Sequence, residues 1–175
     1  MGRLGESTLI TKDPYPHSPG SLEKGLQYQD FVTAELYRRG IPIVGYTSKK
    51  YQIKYGENRA GVEIKFDDRM KETGNVYIET AEKANPANPY FVPSGIYRND
   101  NSWLYAIGNY DVIYIFAKKT LCLLHGQAAK RGFKTTEIAT SKGMLMPIPQ
   151  AEKYSAYIVR VKNEGFEQGE LDWLE

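Results

Sequence analysis

The chain opens with one helical pattern of apolar residues and continues with segments in which apolar and polar residues alternate. Residues 1–20, which hold three prolines and three glycines, are typical of an irregular arm, and the apolar spacing after them predicts a helix over 21–39. Gly40 and Pro42 end this helix, because glycine favours the conformation that closes a helix and proline cannot continue it.

Most of the remaining chain has the pattern of β-strands. Period-two alternation, with β-branched and aromatic residues, predicts strands over 41–48, 49–56, 61–67, 75–83, 109–119 and 154–162. The polar segment 68–74 ends in a glycine and predicts a hairpin between the third and fourth of these strands. Residues 119–132 have a helical pattern, whereas 84–93 and 141–150 are typical of loops. The order predicts a single α/β domain over residues 1–175, with a mixed sheet.

Composition narrows the classes of function. Hydrophobic residues make up 41% of the chain, which supports a packed core. One cysteine, Cys122, excludes a disulfide framework and a cysteine-built zinc site, and two histidines leave little for histidine-rich metal chemistry. No apolar run matches a membrane span or a signal peptide, so we expect a cytoplasmic protein without a membrane partner. The net charge of +2 permits nucleic acid as a partner without requiring it.

Candidate chemistry lies on the predicted hairpin. Side chains two residues apart in a strand share a face, so Glu63, Lys65 and Asp67 face one way and the apolar residues between them face the other. In an antiparallel hairpin, Glu63 would lie opposite Glu79 and Lys65 beside Tyr77. Opposed side chains in such a pair are about 4.5–5.5 Å apart at Cβ. Two carboxylates at that distance repel each other unless they share a proton or a cation such as Mg²⁺.

Two carboxylates that hold a cation beside a lysine are what phosphodiester hydrolysis needs. The cation polarises the phosphoryl group and activates a water, while the lysine steadies that water or the developing negative charge. The structural alternative is a solvated hairpin face whose lysines and glutamates pair across the strands.

These residues resemble the PD-(D/E)XK nuclease superfamily, and in particular its small phage and resolvase members. Residues 21–125 follow the family's order of helix, three-stranded meander, helix and strand, and GVEIKFD and NVYIETAEK would carry its acids. The resemblance implies a restriction endonuclease-like core, with a mixed central sheet flanked by helices. It also implies a Mg²⁺-dependent DNA endonuclease, with Mn²⁺ able to substitute, in which Glu63 and Glu79 bind the metal. Gln29 would face the site from the opening helix, with Asp30 and Glu35 as rivals.

The sequence departs from the family at the lysine. Two residues after the second acid stands Ala81, so the catalytic lysine would be Lys65, next to both acids, or failing that Lys83. A competing register takes Glu63 and Lys65 as the family's acid-x-lysine pair and Glu57 as the earlier acid. The loss of the usual lysine also leaves open a catalytically inactive DNA-binding or assembly protein on the same scaffold.

A basic and aromatic segment precedes the acids. It contains Lys49, Lys50, Lys54 and Arg59, interleaved with Tyr46, Tyr51 and Tyr55. Such residues contact phosphates and stack on bases in DNA-binding proteins, although lysines also keep a solvated edge strand soluble. The partner implied by the resemblance is DNA, with a homodimer as a further expectation. The acidic tail over 164–175 is either a frayed end, a docking segment or a cover for a basic surface.

Overall fold

The structure is a computed structural model that describes residues 21–46 and 48–161. The N-terminal arm over 1–20 and the acidic tail over 164–175 lie outside the described residues. The helices are α1 (Ser21–Tyr37), α2 (Lys49–Tyr55), α3 (Met70–Thr73), α4 (Lys118–Gly126), α5 (Ala128–Arg131) and α6 (Ile148–Tyr154). The strands are β1 (Val62–Phe66), β2 (Asn75–Glu82), β3 (Val92–Pro93), β4 (Leu104–Gly108), β5 (Val112–Ala117), β6 (Lys134–Ile138), β7 (Ser141–Pro147) and β8 (Tyr157–Arg160). A 3-10 turn spans Gly95–Tyr97.

The strands form two four-stranded sheets, so the mixed α/β class is confirmed. The first sheet has the order β1–β4–β5–β8, and only its β1–β4 pair is parallel. The second has the order β3–β2–β7–β6 and is antiparallel throughout. The helices predicted over 21–39 and 119–132 are confirmed as α1 and as α4 with α5. No helix among the described residues is long and apolar enough to cross a membrane.

The first sheet is covered on both faces. Alternate side chains of β1, β4 and β5, among them Val62, Ala106 and Ile113, pack with α1 through Tyr28 and Val32. The opposite face packs with the second sheet and with α4 in a larger apolar cluster, whose members include Tyr105, Ile107, Tyr114, Phe116, Ile78, Met144 and Leu121. This double burial explains why β4 and β5 are almost continuously apolar, as strands covered on both faces are.

The prediction that β1 and β2 form a hairpin is wrong. β1 pairs in parallel with β4, which sets Glu63 beside Tyr105, while β2 pairs with β7, which sets Glu79 beside Gly143. The connection contains α3, whose Met70 is 1% exposed and anchors the segment in the core, so it does not turn β1 back onto β2. Alternation along a strand fixes which side chains share a face, but it does not fix which strand is the neighbour.

Three further element predictions are wrong. Among the described residues of the strand predicted over 41–48, Gly45 forms only an isolated bridge to Asn58. Residues 49–56 form α2 instead of a strand. Over so short a segment the same tyrosines satisfy both periods, because Tyr51 and Tyr55 are also one helical turn apart. Residues 141–150 form β7 and α6 instead of a loop. Pro149 lies in the first turn of α6, where its missing N–H costs no helical hydrogen bond.

Two leucines in α4 provide a test of the core between the sheets. Leu121 is fully buried and Leu123 is 60% exposed. Leu121→Ala should lower the free energy of unfolding by about 2–5 kcal/mol, because it removes buried methyl groups and leaves a cavity. Leu123→Ala, the same exchange in the same helix, should change it by no more than about 0.5 kcal/mol. Urea unfolding followed by circular dichroism measures both, and equal losses would contradict the assigned faces of α4.

Candidate functional site

A buried ion pair lies on the face of β1 that is turned toward the second sheet. Glu63 and Lys65 are two residues apart and share that face, and Lys65 Nζ lies 2.7 Å from Glu63 Oε1. The Glu63 side chain is 3% exposed and that of Lys65 is 35% exposed. The other carboxylate oxygen, Glu63 Oε2, is buried and has no hydrogen-bond partner among the described residues. A buried carboxylate oxygen without a donor is costly, so this atom is a candidate ligand for a cation.

Glu57 joins this pair from the turn between α2 and β1. Its Oε2 accepts a hydrogen bond from the backbone N–H of Ile64 at 2.9 Å, and its Oε1 accepts one from Gln29 Nε2 at 3.2 Å. Glu57 therefore links the first helix to the strand that carries Glu63. Gln29 was predicted to face Glu63 and Glu79 from α1, and the hydrogen-bond partner that the structure gives it is Glu57.

The turn that delivers Glu57 is held by side-chain amides. Asn58 is buried, donates to the carbonyl of Val62 at 2.5 Å and accepts from the N–H of Val62 at 3.0 Å. Asn101 donates to the carbonyl of Asn58 at 2.9 Å. Gly56 has a φ of +95°, and a Cβ there would lie 1.9 Å from Asn101 Oδ1. Glycine therefore suits this position, because the chain passes from α2 to Glu57 through a conformation that other residues rarely adopt.

The charges of the cluster perturb one another. Burial, and next the charge of Glu63, raise the pKa of Glu57 to about 7, and Lys65 is among the groups that oppose this shift. Burial lowers the pKa of Lys65, but the charges of Glu63, Glu57 and Glu79 outweigh burial and raise it above its ordinary value. Lys65 therefore stays protonated at the centre of three carboxylates.

Glu79 reaches the same region from the second sheet. Its Oε1 accepts from Ser94 Oγ at 2.7 Å and its Oε2 from Ser141 Oγ at 3.4 Å. It shares with Lys65 a cleft of about 350 Å³, whose lining also includes Phe66, Asp67, Asn75, Tyr77, Tyr105, Ile138, Ser141 and Leu145. The predicted strand pairing of Glu63 with Glu79 is thus wrong, yet the fold brings both acids close to one lysine.

The alternative lysine lies elsewhere. The pairing of β2 with β7 shifts register at Thr80, because Glu79 pairs with Gly143 and Ala81 with Lys142. β2 ends at Glu82, so Lys83 lies just beyond the strand on which it was predicted to share a face with Glu79. Lys83 Nζ donates to the carbonyl of Pro86 at 3.0 Å and lies 5.0 Å from the ring centroid of Phe91.

The rivals of Gln29 on α1 have other surroundings. Asp30 is exposed, whereas the Glu35 side chain is buried and forms ion pairs with Arg38 and with Arg39, the latter at 2.6 Å. The charge of Glu35 is therefore neutralised at the C-terminal end of α1.

Two site residues escaped the sequence reasoning. Arg98 Nη2 lies 3.4 Å from Ser94 Oγ and 3.6 Å from a carboxylate oxygen of Glu82. Burial lowers the pKa of Arg98, but the charges of Glu63, Glu82 and Glu79 outweigh burial and raise it. Ser94 and Arg98 flank a short 3-10 turn, and only the tertiary fold brings such polar loop residues to the acids.

The predicted nucleic-acid contacts border the cluster. Lys50, Lys54 and Arg59 are exposed on α2 and on the turn after it, and the side chain of Lys49 lies outside what the structure describes. The edge-strand interpretation of these lysines is wrong, because the segment is a helix. Its C-terminal residue, Tyr55, is separated from Glu57 by Gly56 alone.

The donor set fits a hard divalent cation with few protein ligands. Within residues 21–46 and 48–161, no group of three or more histidine, cysteine, aspartate or glutamate side chains is arranged to hold a metal ion. Mg²⁺ is commonly bound through one or two carboxylates, with waters and substrate phosphate completing its shell. Glu63, with its unpartnered Oε2, and Glu57 beside it meet that smaller requirement.

Comparisons of the chain with models of protein families, with curated proteins and with solved structures each found no match.

The raised pKa of Glu57 predicts how stability depends on pH. An ordinary glutamate titrates near 4.5 and Glu57 near 7, so between these values the folded state binds more protons than the unfolded state. The free energy of unfolding contributed by Glu57 should therefore fall as pH rises from 4.5 to about 7 and level off above that. Glu57→Gln should remove this slope.

Urea unfolding at a series of pH values measures the effect as the difference between the parent and the variant. Glu23→Gln, on the exposed side of α1, is the matched control and should keep the parent's profile. A Glu57→Gln profile that runs parallel to the parent across this range would show that Glu57 is not the group that titrates there.

Proposed function

We propose that this protein is a divalent-metal-dependent nuclease that hydrolyses phosphodiester bonds in DNA. The observation that carries the proposal is the position of Glu63, buried with one oxygen on Lys65 and the other without a donor, beside Glu57. Carboxylates of this kind next to a fixed ammonium are the groups from which metal-assisted phosphoryl hydrolysis is built.

The arrangement supports the register in which Glu57 is the first acid and Glu63 and Lys65 are the acid-x-lysine pair. Gln29 then supports the first acid through its hydrogen bond to Glu57. The resemblance to the PD-(D/E)XK superfamily rests on this set of side chains. It does not rest on strand order, because β1 and β2 belong to different sheets. A restriction endonuclease-like core is part of the proposal on the same ground.

The cation would be held by Glu63 and Glu57, with Mn²⁺ able to replace Mg²⁺. When bound, it polarises the phosphoryl group and lowers the pKa of a coordinated water. The side chains of the chain do the remaining work. Lys65, at the wall of the cleft, orients the attacking water or neutralises charge that develops on the phosphate. Gln29 holds the Glu57 carboxylate toward the site, and Arg98 adds positive charge where a negatively charged strand must approach the acids.

A second candidate is a DNA-binding or assembly protein without catalysis. The observation that favours it is the 2.7 Å ion pair itself, in which Lys65 and one Glu63 oxygen are each other's partners. In that case the pair would only neutralise the charge of Glu63 on the inward face of β1 and would not take part in chemistry.

Cleavage of fluorescently labelled DNA in Mg²⁺ tests the first candidate. Glu63→Gln and Lys65→Ala should each lower the cleavage rate by about 10²–10³-fold, the usual cost of removing one group that stabilises developing charge. Matched controls come from α3, where Glu72→Gln and Lys71→Ala alter exposed side chains of the same types and should leave the rate unchanged. Circular dichroism of each variant checks that the fold is retained.

The same variants separate the two candidates and the two registers. DNA binding without cleavage under Mg²⁺ or Mn²⁺ would reject the nuclease and support the inactive scaffold. If the parent cleaves, calorimetric titration with Mn²⁺ should give a loss of affinity of about tenfold or more for Glu57→Gln and little change for Glu79→Gln. If Glu79→Gln loses the affinity and Glu57→Gln keeps it, Glu79 would be the second metal ligand.

A further inference from the structure

Three tyrosines form a continuous aromatic surface on and beside α2. The ring centroids of Tyr46 and Tyr51 are 6.0 Å apart, and those of Tyr51 and Tyr55 are 5.3 Å apart. Tyr51 is 54% exposed and Tyr55 is 42% exposed. Within the described part of the chain, neither ring belongs to the two apolar clusters that form the core. Packing of the domain therefore does not explain why adjoining aromatic rings remain in water.

The charge of α2 indicates what these rings meet. The helix has the sequence KKYQIKY, which contains three lysines and no acidic residue. Lys50 and Lys54 are exposed, and Lys54 Nζ lies 4.9 Å from the ring centroid of Tyr55. Rings that alternate with ammonium groups match a ligand in which flat bases alternate with phosphates, and they match an apolar protein surface poorly.

The aromatic surface is joined directly to the turn that carries Glu57. Gln52 donates to the carbonyl of Tyr46 at 2.5 Å, which ties the helix to the segment before it. At the other end, Gly56 is wedged against Asn101 and Glu57 comes directly after it. Tyr55, the last residue of α2, is therefore two residues from Glu57, the nearest of these acids in sequence.

The geometry points to α2 as a base-stacking platform for single-stranded nucleic acid, with Tyr51 at its centre and Lys50 and Lys54 on the phosphates. In a duplex the faces of the bases are already stacked on one another, so exposed tyrosine faces contribute only to an unpaired strand. The platform depends on the proposed function only for the cleavage that comes after binding, since stacking and phosphate contacts require no metal. It defines the form of the substrate that the acids would receive.

Fluorescence anisotropy in EDTA tests the platform without catalysis. One such surface usually covers about 4–16 nucleotides, so the probe is a labelled oligothymidylate longer than that. Tyr51→Ala should weaken binding about tenfold, as expected when one base loses its aromatic partner, and Tyr51→Phe should restore it. Lys54→Ala should weaken binding and reduce its dependence on salt by about one phosphate contact.

The chain offers matched controls. Tyr37 on α1 is 71% exposed and Tyr90 in the 84–93 connection is 78% exposed, and alanine at either position should leave binding unchanged. Equal binding by Tyr51→Ala and the parent would overturn the inference. Stronger binding of a duplex with the same label would also overturn it. A change in oligomeric state of Tyr51→Ala in sedimentation, without loss of oligonucleotide binding, would assign the surface to protein contact instead.

The proposed function and this platform fail in different ways. Glu63→Gln should abolish cleavage in Mg²⁺ while it keeps oligothymidylate affinity in EDTA. A parent protein that binds the oligonucleotide through Tyr51 but cleaves no DNA would contradict the nuclease and support the platform. If the parent cleaves DNA and Tyr51→Ala binds the oligonucleotide as tightly as the parent, the result would support the nuclease and contradict the platform.

Discussion

Burying the Glu63 carboxylate between two sheets costs free energy, and the groups around it must offset that cost. Lys65, on the same face of β1, offsets that cost through one oxygen, and the other oxygen is left without a donor among the described residues. Apolar residues of similar size usually stabilise a core at least as well as an ion pair does. Stability alone therefore gives no reason for charge at this position, and a chemical role gives one.

The fold then determines which groups surround the pair. Glu57 arrives from the turn after α2, Glu79 from the second sheet, and Gln29 from the helix on the far side of β1. Glu57 accepts a hydrogen bond from the Ile64 N–H, and Glu79 accepts one from Ser94 Oγ. These hydrogen bonds keep both carboxylates near one another inside the protein. The result is an anionic wall around the ammonium of Lys65, and under the proposed function a divalent cation would supply further positive charge there.

The sequence predicted the parts of this site that depend on local pattern. Alternation along β1 placed Glu63 and Lys65 on one face, and helical spacing placed Gln29 on a helix. Strand partners depend instead on segments distant in sequence, and for that reason β1 was assigned to β2 although β4 is its neighbour. Neither the register shift at Thr80 nor the end of β2 at Glu82 has a signal in the composition, so the surroundings of Lys83 cannot be predicted from the pattern. Ser94 and Arg98 meet the acids only because the 3-10 turn packs against β2.

The segment over 49–57 joins the proposed binding surface to the proposed site. Its exposed side carries the tyrosines and lysines, and its last residue turns inward to the Ile64 N–H. Gly56, which lies against Asn101 with a positive φ, joins the two sides. If the platform and the nuclease proposal both hold, a strand stacked on Tyr55 would lie beside the residue that leads to Glu57, and the platform would present the strand's backbone to the acids. Positioning of this kind is itself a large part of rate enhancement in phosphoryl chemistry, where the protein forms no covalent bond to its substrate.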